Sequence, residues 1–402
     1  MFTLKIAIIG GGAAGFFAAI RHKETFPEHE VTVFEKTTKV LGKVKISGGG
    51  RCNVTHACFN VKDLIQYYPR GGKELQGAFY RFQPSDTIQW FEARGVLLKT
   101  EEDGRMFPIT NKSETIMDCL TTTAQALGVR LLMSHSLSTI LCVGTQFELK
   151  FSNDQQYLMD QLILTSGSGQ LIWDELKKLG HHICAPVPSL FTFNISDKRL
   201  FGLPGISWPL VEITLPSLGI KSTGPLLITH WGLSGPAILK LSAFGAVALH
   251  DIDYKFEMEV NYAYPLSANE LKESLLSLKE KNKNKLVINT PIPGFTSRVW
   301  QIWMSQIGMG EKLWQSVSLK DISSMIDTVT SMKFKVDGKS TFKEEFVTCG
   351  GVDLKEVDMR SMQSKLIPGL YFAGEVLNID ALTGGFNFQA AWTTGWLAGS
   401  NG

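Results

Sequence analysis

Six residues near the start of the chain, Gly10-Gly11-Gly12-Ala13-Ala14-Gly15, constrain its fold more than any other feature. They follow directly on Leu4 to Ile9, a short apolar, β-branched run that suits a strand buried on both faces of a parallel sheet. Phe16 to Lys23 then reads as a helix. Strand, G-x-G-x-x-G and helix in this order make a dinucleotide-binding turn. Gly10 permits the tight bend, Gly12 lets the backbone approach a pyrophosphate, and Gly15 lets the helix pack close to the strand. The unpaired N–H groups and positive dipole end at the helix start favour the anion. A second strand, Val31 to Phe34, ends in Glu35. That is about 20 residues past the last glycine, where a carboxylate can accept both ribose hydroxyls of an adenosine moiety. An acidic residue at this place disfavours a 2′-phosphate, so FAD or NAD is expected here and NADP is not.

The length of 402 residues corresponds to two or three domains at roughly 150 residues each. A net charge of +2 lacks the basic excess of a protein that tracks a phosphate backbone, so no nucleic-acid partner is expected. Six scattered cysteines without a C-x-x-C favour a reducing compartment over a secreted disulfide framework. The charge-free run Ile6 to Ile20 is too well matched to the nucleotide turn to be a signal peptide. No other uncharged stretch reaches the roughly 20 apolar residues that cross a bilayer. A cytoplasmic protein with no membrane partner is expected.

Further donor-rich segments stand at both ends. Lys43 to Asn53 contains Ser47, Gly48, Gly49, Arg51, Cys52 and Asn53, a loop whose backbone N–H groups can wrap more of a cofactor. At the far end Gly369 to Phe372 reads as a strand, followed by Gly374, Glu375 and then Gly384-Gly385-Phe386-Asn387-Phe388-Gln389, with Ala390 to Ala398 helical. A glycine pair opening a terminal helix offers donors to an electron-rich ring edge such as a flavin N1–C2=O. Gly167-Ser168-Gly169 fails as a second fingerprint at its third glycine, which leaves nicotinamide only a transient role.

On these motifs the chain resembles the aminoacetone oxidase-like family of FAD-binding, NAD(P)/FAD-dependent oxidoreductases, some of whose members are described as bile-acid-inducible flavoproteins. The resemblance runs from end to end, through Gly10 to Gly15, Ser47 to Asn53, Gly104 to Pro108, Thr229 to Ala237, Val347 to Val352, Gly369 to Glu375 and Gly385 to Gln389. It implies FAD contacts at Gly10, Gly12, Ala13, Ala14, Glu35, Lys43, Ser47, Gly48, Arg51, Gly374, Glu375, Asn387 and Phe388. Gly15, Lys36, Gly49, Cys52, Asn53, Ser166, Gly167 and Gly385 lie in the same motifs or beside them and complete the candidate cofactor set. The implied fold is α/β, a Rossmann-like FAD-binding domain of the glutathione-reductase type interrupted by an insert of a small β-barrel plus a helical subdomain. The chain departs from the family pattern at Ser166-Gly167-Ser168-Gly169, at Trp231 and at Asn378-Ile379-Asp380-Ala381.

The expected FAD-binding domain is discontinuous, residues 1–188 and 337–402, with the insert at 189–336. Within the insert, Phe191 to Ile195, Val211 to Leu215, Leu226 to Thr229 and Phe256 to Val260 read as barrel strands, the barrel covering about 189–265 and 328–336. Residues Ser267 to Lys281, Val299 to Gln306 and Leu319 to Thr330 read as helices of the part at about 266–327.

The expected activity is hydride transfer between a small organic substrate and flavin, with oxygen or nicotinamide as second partner. A non-enzymatic FAD sensor and a flavoprotein acting on tRNA are the alternatives. Catalytic residues are not assigned, but Lys43 and Arg51 are the candidate cations for drawing electron-rich groups to the site. Cys52 and Cys58 do not make a redox pair, because their spacing is C-x5-C and no His follows His250 to serve as acid/base. His181-His182-Ile183-Cys184 offers three ligand side chains, yet no second cluster nearby in sequence completes a tetrahedral site, and no metal is expected. Ser234 is read as the N-cap of a helix from Ala237 to Leu241.

Overall fold

A computed structural model describes residues 3–340 and 347–401. The chain divides into two compact units, one holding the described residues up to Val187 and from Val347 onward, the other the described residues between. The first is built on a sheet whose centre is parallel. Strands β1 (Lys5–Ile9), β2 (Glu30–Phe34), β3 (Arg130–Leu132), β4 (Gln161–Leu164) and β5 (Leu370–Phe372) lie in the order β5-β4-β1-β2-β3. Gln363–Ser364 and Val357–Asp358 extend it antiparallel beyond β5. Ile6 to Ile9, Val31 to Phe34 and Leu162 to Leu164 are buried, as continuous apolar strands covered on both faces must be.

The register fixes where chemistry can occur. Ile9 lies opposite both Phe34 and Leu164, and Leu164 opposite Phe372, so four parallel strands end at one edge. The next residues are Gly10, Glu35, Thr165 and Ala373. In open α/β sheets, ligands bind beyond this carboxyl edge.

Two helices cover the sheet and pack on each other, Ala13–Thr25 and Phe386–Gly399. The sequence places their cores at Phe16 to Lys23 and Ala390 to Ala398; both extend to the glycines that precede them. Gly395 and Gly399 let the backbones meet, since a Cβ on either would fall within 2.6 Å of a carbonyl of the first helix, Ala14 or Ala18. His22 is fully buried near the end of that first helix, its Nε2 hydrogen-bonded to His29 Nδ1 at 2.9 Å. Burial, aided by His29 and Lys23, pushes its pKa down to about 4. The unfolded chain therefore binds a proton below about pH 6.5 that the folded chain refuses, and stability should fall by up to about 3 kcal/mol as pH drops from 6.5 toward 4. Urea midpoints at pH 7, 5.5 and 4.5 should show that decline, and His22→Gln should flatten it.

The second unit is an antiparallel sheet with helices beside it. Its strand order is Met332–Asp337, Lys255–Asn261, Ser207–Leu215, Ile220–Thr229, Gly232–Ser234, Thr192–Asn194, Lys339–Ser340. The two end strands follow one another in the chain through Gly338, whose carbonyl accepts from the Asn194 N–H at 2.9 Å, so the sheet curls back on itself. It runs on through Lys339–Ser340, past residue 337. The helices Ala268–Lys281, Ser297–Gln306 and Leu319–Thr330 bury Leu271, Leu275, Trp300, Trp303, Ile322 and Met325 in this unit's core. Ser267 and Ser318 start two of them with capping boxes closed by Glu270 and Asp321. Ser234 does not cap a helix. It ends the strand Gly232–Ser234, and the following helix Pro236–Phe244 is capped by Gly235 with Pro236 in its first turn, a start that needs no side-chain acceptor.

Candidate functional site

The carboxyl edge of the sheet gathers one group of candidate residues. Gly10 bends the chain from β1 into the first helix at φ +114°, and its N–H donates to Phe34 O at 2.8 Å. A Cβ at Gly15 would sit 2.0 Å from the Gly10 carbonyl oxygen, so only glycine allows this helix to start so close to the strand. Gly12 differs, because a Cβ there would meet no atom within 4 Å. It is the N-cap, offers no side-chain acceptor, and the first turn holds no acidic residue. The first-turn N–H groups of Ala13 and Ala14 thus face open space with no competing carboxylate on their own turn, an arrangement that suits an anion.

Glu35 stands beside this turn. Its Oε2 accepts from the Gly11 N–H at 2.9 Å, while Oε1 accepts from Thr37 N and Oγ1, each at 2.9 Å. A carboxylate has about four lone-pair sites and three are taken, so one remains for a ribose hydroxyl unless Thr37 gives way. On the other side, Thr165 Oγ1 donates to the carbonyls of Ile9 and Gly10 at 3.0 and 2.9 Å. Ser166 Oγ is buried without a partner, and Gly167 brings the backbone next to Glu375. Gly374 packs against Ala14, its N–H held by Thr394 Oγ1 at 2.9 Å, and Glu375 pairs with Lys43. Gly10 to Gly15, Glu35, Lys43, Ser166, Gly167, Gly374 and Glu375 therefore form one group.

A second group is built around the start of the last helix. Ser47 is extended and Gly48, Gly49 and Gly50 are left-handed, so the end of the helical segment Gly42–Gly50 is in effect the loop read from sequence. Asn53 joins this loop to the last helix. With its amide oriented to satisfy both ends, its oxygen accepts from the Gly385 N–H at 3.0 Å and its nitrogen donates to Thr55 O and Met106 O. Gly385 is the N-cap of Phe386–Gly399, again without a side-chain cap, which leaves first-turn donors available.

Several expected residues use their side chains otherwise. The Asn387 amide clasps the Ala381 backbone, accepting from its N–H at 2.9 Å and donating to its carbonyl at 3.0 Å. Phe388 stacks on Trp392, and Lys36 is exposed beyond Glu35. The Cys52 thiol is buried in a hydrophobic cluster, and burial pushes its pKa up to about 12. It is therefore a packed residue rather than a nucleophile. Lys43 and Arg51 are not free cations. Lys43 pairs with Glu375, and Arg51 pairs with Glu101 at 2.6 Å while lying over the Phe107 ring. Each has its charge answered by a carboxylate, which weakens any pull on an anionic substrate.

Sequence reading missed two features. Thr55, Thr87, Gln389 and Thr393 form a buried hydrogen-bond network under the last helix, with Gln389 Oε1 accepting from Thr55 at 2.6 Å and Thr87 at 3.0 Å. His56 stacks on Phe386, which stacks in turn on Tyr67, and burial lowers the His56 pKa. Phe386 and Gln389 lie in the glycine motif read from the sequence, but their partners Thr55, His56, Tyr67 and Thr87 come from other segments, and no local spacing marks those pairings.

A model of the HI0933-like protein Rossmann domain matches residues 4–401. The chain belongs to this family. The HI0933-like proteins bind FAD in a Rossmann-type domain and are FAD-dependent oxidoreductases. This family member is 28% identical over 97% of its length to the ribosomal RNA dihydrouridine synthase of Haemophilus influenzae, covering 96% of that protein. It is 22% identical to the 3-dehydro-bile acid delta(4,6)-reductase of Clostridium scindens, over 98% of both chains. Among solved structures it is similar in fold to the 3-ketosteroid-delta4-(5alpha)-dehydrogenase of Rhodococcus jostii, with a TM-score of 0.52 and 12% identity over 100% of this chain and 98% of that one.

The open first turn at Gly12, the Glu35 carboxylate and the orphaned Ser166 hydroxyl fit the pyrophosphate, ribose and polar edges of FAD. Glu35→Ala should weaken FAD by about 1.5–3 kcal/mol, the usual worth of hydrogen bonds to a charged acceptor. Titration of the apoprotein with FAD, followed by flavin fluorescence, measures it. No helix among the described residues is long and apolar enough to cross a membrane.

Proposed function

We propose that this protein is an FAD-dependent reductase that adds two hydrogens across a carbon–carbon double bond conjugated to a carbonyl group, and that its substrate is a uracil ring in ribosomal RNA. The observation that carries the reading is the donor-lined, carboxylate-flanked edge at Gly10 to Gly15 and Glu35 in a chain matched nearly end to end by two reductive relatives. Dihydrouridine is uridine saturated at C5–C6, a bond conjugated to the C4 carbonyl. A 3-oxo steroid with double bonds at 4 and 6 carries the same conjugated unit. The two relatives differ in substrate and agree in bond.

Bound FAD, once reduced by NADH or NADPH, would supply the hydride for such a reaction, and a proton from solvent would complete the addition. The N–H groups of Ala13 and Ala14 would hold its pyrophosphate, and Glu35 its ribose. Donors in the first turn after Gly385 would face the electron-rich edge of the flavin and favour negative charge there. Nicotinamide would act as a transient reductant, and oxygen would compete for the reduced cofactor.

The exclusion of nucleic acid drawn from a net charge of +2 is set aside in this reading, since net charge speaks to backbone affinity and not to recognition of a base. The same near-neutral charge favours a second reading, a small conjugated enone. The test reduces the holoenzyme anaerobically with NADH or NADPH, then adds either ribosomal RNA lacking dihydrouridine or a panel of enones. Reoxidation by RNA, with a mass gain of two hydrogens on one uridine, is the expected result. Reoxidation by enones alone would transfer the proposal to small molecules, and reoxidation by neither would end it.

A further inference from the structure

Away from the glycine turn, tertiary contacts finish a cluster that the sequence leaves incomplete. Ile183–Ser189 and Val347–Val352 form a two-stranded sheet, and the residues around their ends bring an imidazole, a thiol and a carboxylate together. Ligand atoms of His182, Cys184 and Asp353 lie within 4.8 Å of one another. The backbone that carries them is pinned. The Asp353 N–H donates to the His182 carbonyl at 3.0 Å, and the His182 N–H donates to Glu356 at 3.0 Å. Asp353 Oδ1 accepts from the Lys355 N–H at 3.0 Å, while Oδ2 faces His182 Nδ1 at 3.4 Å.

We propose that His182, Cys184 and Asp353 bind a Zn2+ ion, or a divalent cation of similar softness, with water as the fourth ligand. Tetrahedral zinc with bonds of about 2.0–2.3 Å sets its ligand atoms about 3.5 Å apart, so small side-chain rotations close this cluster onto an ion. One nitrogen, one sulfur and one oxygen donor select zinc over magnesium or calcium, which take oxygen ligands. The ion replaces the thiol proton of Cys184, which passes to buffer. His182 is 66% exposed in its side chain, so the site exchanges with solution and the metal is a removable one. It would tie His182 and Cys184, at the start of one strand, to Asp353, at the end of the other. Val352 also bridges to Leu377, in the segment leading to the last helix, so the ion would stiffen that approach.

The test uses flavin-loaded, tag-free protein stripped with a chelator. Equilibrium dialysis against zinc should show about one ion per chain, and zinc-edge X-ray absorption should show one sulfur neighbour at about 2.3 Å. Cys184→Ser should remove the sulfur neighbour and weaken zinc at least about tenfold, as should His182→Ala and Asp353→Asn for affinity. Cys58→Ser and Cys142→Ser should change neither. Absence of saturable zinc binding, or a sulfur neighbour that persists in Cys184→Ser, would overturn the proposal.

Discussion

Gly12→Val should cost the protein most of its bound FAD and leave it folded. Gly12 has ordinary extended backbone, φ −95° and ψ −169°, so valine meets no backbone strain. A Cβ would touch nothing in the protein, so no core is disturbed. The space it enters is the one from which the first-turn donors reach an anion, and a branched side chain there holds a pyrophosphate out of hydrogen-bond range. The expected loss of FAD affinity is at least about 100-fold, or about 2.7 kcal/mol. Exchanging glycine for valine at an N-cap should cost the apoprotein only about 1 kcal/mol. Flavin-to-protein ratio after purification and apoprotein urea unfolding separate the two effects. Gly15→Ala is the contrast, since its Cβ would lie 2.0 Å from a carbonyl oxygen and it should lower apoprotein stability itself. Full flavin occupancy in Gly12→Val would show that the cofactor does not use this turn.

Arg70→Ala should destabilise the protein by about 3–5 kcal/mol. Arg70 makes a two-pronged pair with Asp380, whose side chain has no exposure at all, and the two residues also form an isolated antiparallel bridge. Removing the guanidinium leaves a carboxylate buried without its cation, the costly case for an internal ion pair. Replacing both partners with apolar residues of similar volume, as in R70M with D380L, should restore most of the loss, because no charge is then left buried. The urea midpoint reads both outcomes. Asp380 lies in the segment that leads to the last helix, so flavin retention should fall with Arg70→Ala and return with the double change.

The Arg70–Asp380 pair also marks a limit of the sequence. Asn378-Ile379-Asp380-Ala381 is visible in the sequence only as a departure from a family pattern. The structure gives it a role, since Asp380 anchors to a residue 310 positions earlier and Ala381 is clasped by Asn387. Lys43 and Arg51 teach the same lesson in reverse. Both are cations near glycine loops in the sequence, and both turn out to be answered by carboxylates, Glu375 and Glu101, from distant segments.

The sequence by itself determined the strand–glycine turn–helix geometry at Lys5 to Thr25, because strand, glycine spacing and helix are all local: each follows from residues a few positions apart and from the steric needs of one bend. It also determined the helix Leu319–Thr330, which occupies the expected residues because an apolar stripe, a capping serine and an acidic first turn all agree. Tertiary structure decided how the distant segments meet. Strand register brought Gly10, Glu35, Thr165 and Ala373 to one edge, a long glycine-lined contact laid the last helix on the first, and a strand pair placed Asp353 beside His182 and Cys184. Those contacts join residues 20 to several hundred positions apart, and a side chain's partner across such a distance is set by how the whole core packs, which no local pattern of residues encodes.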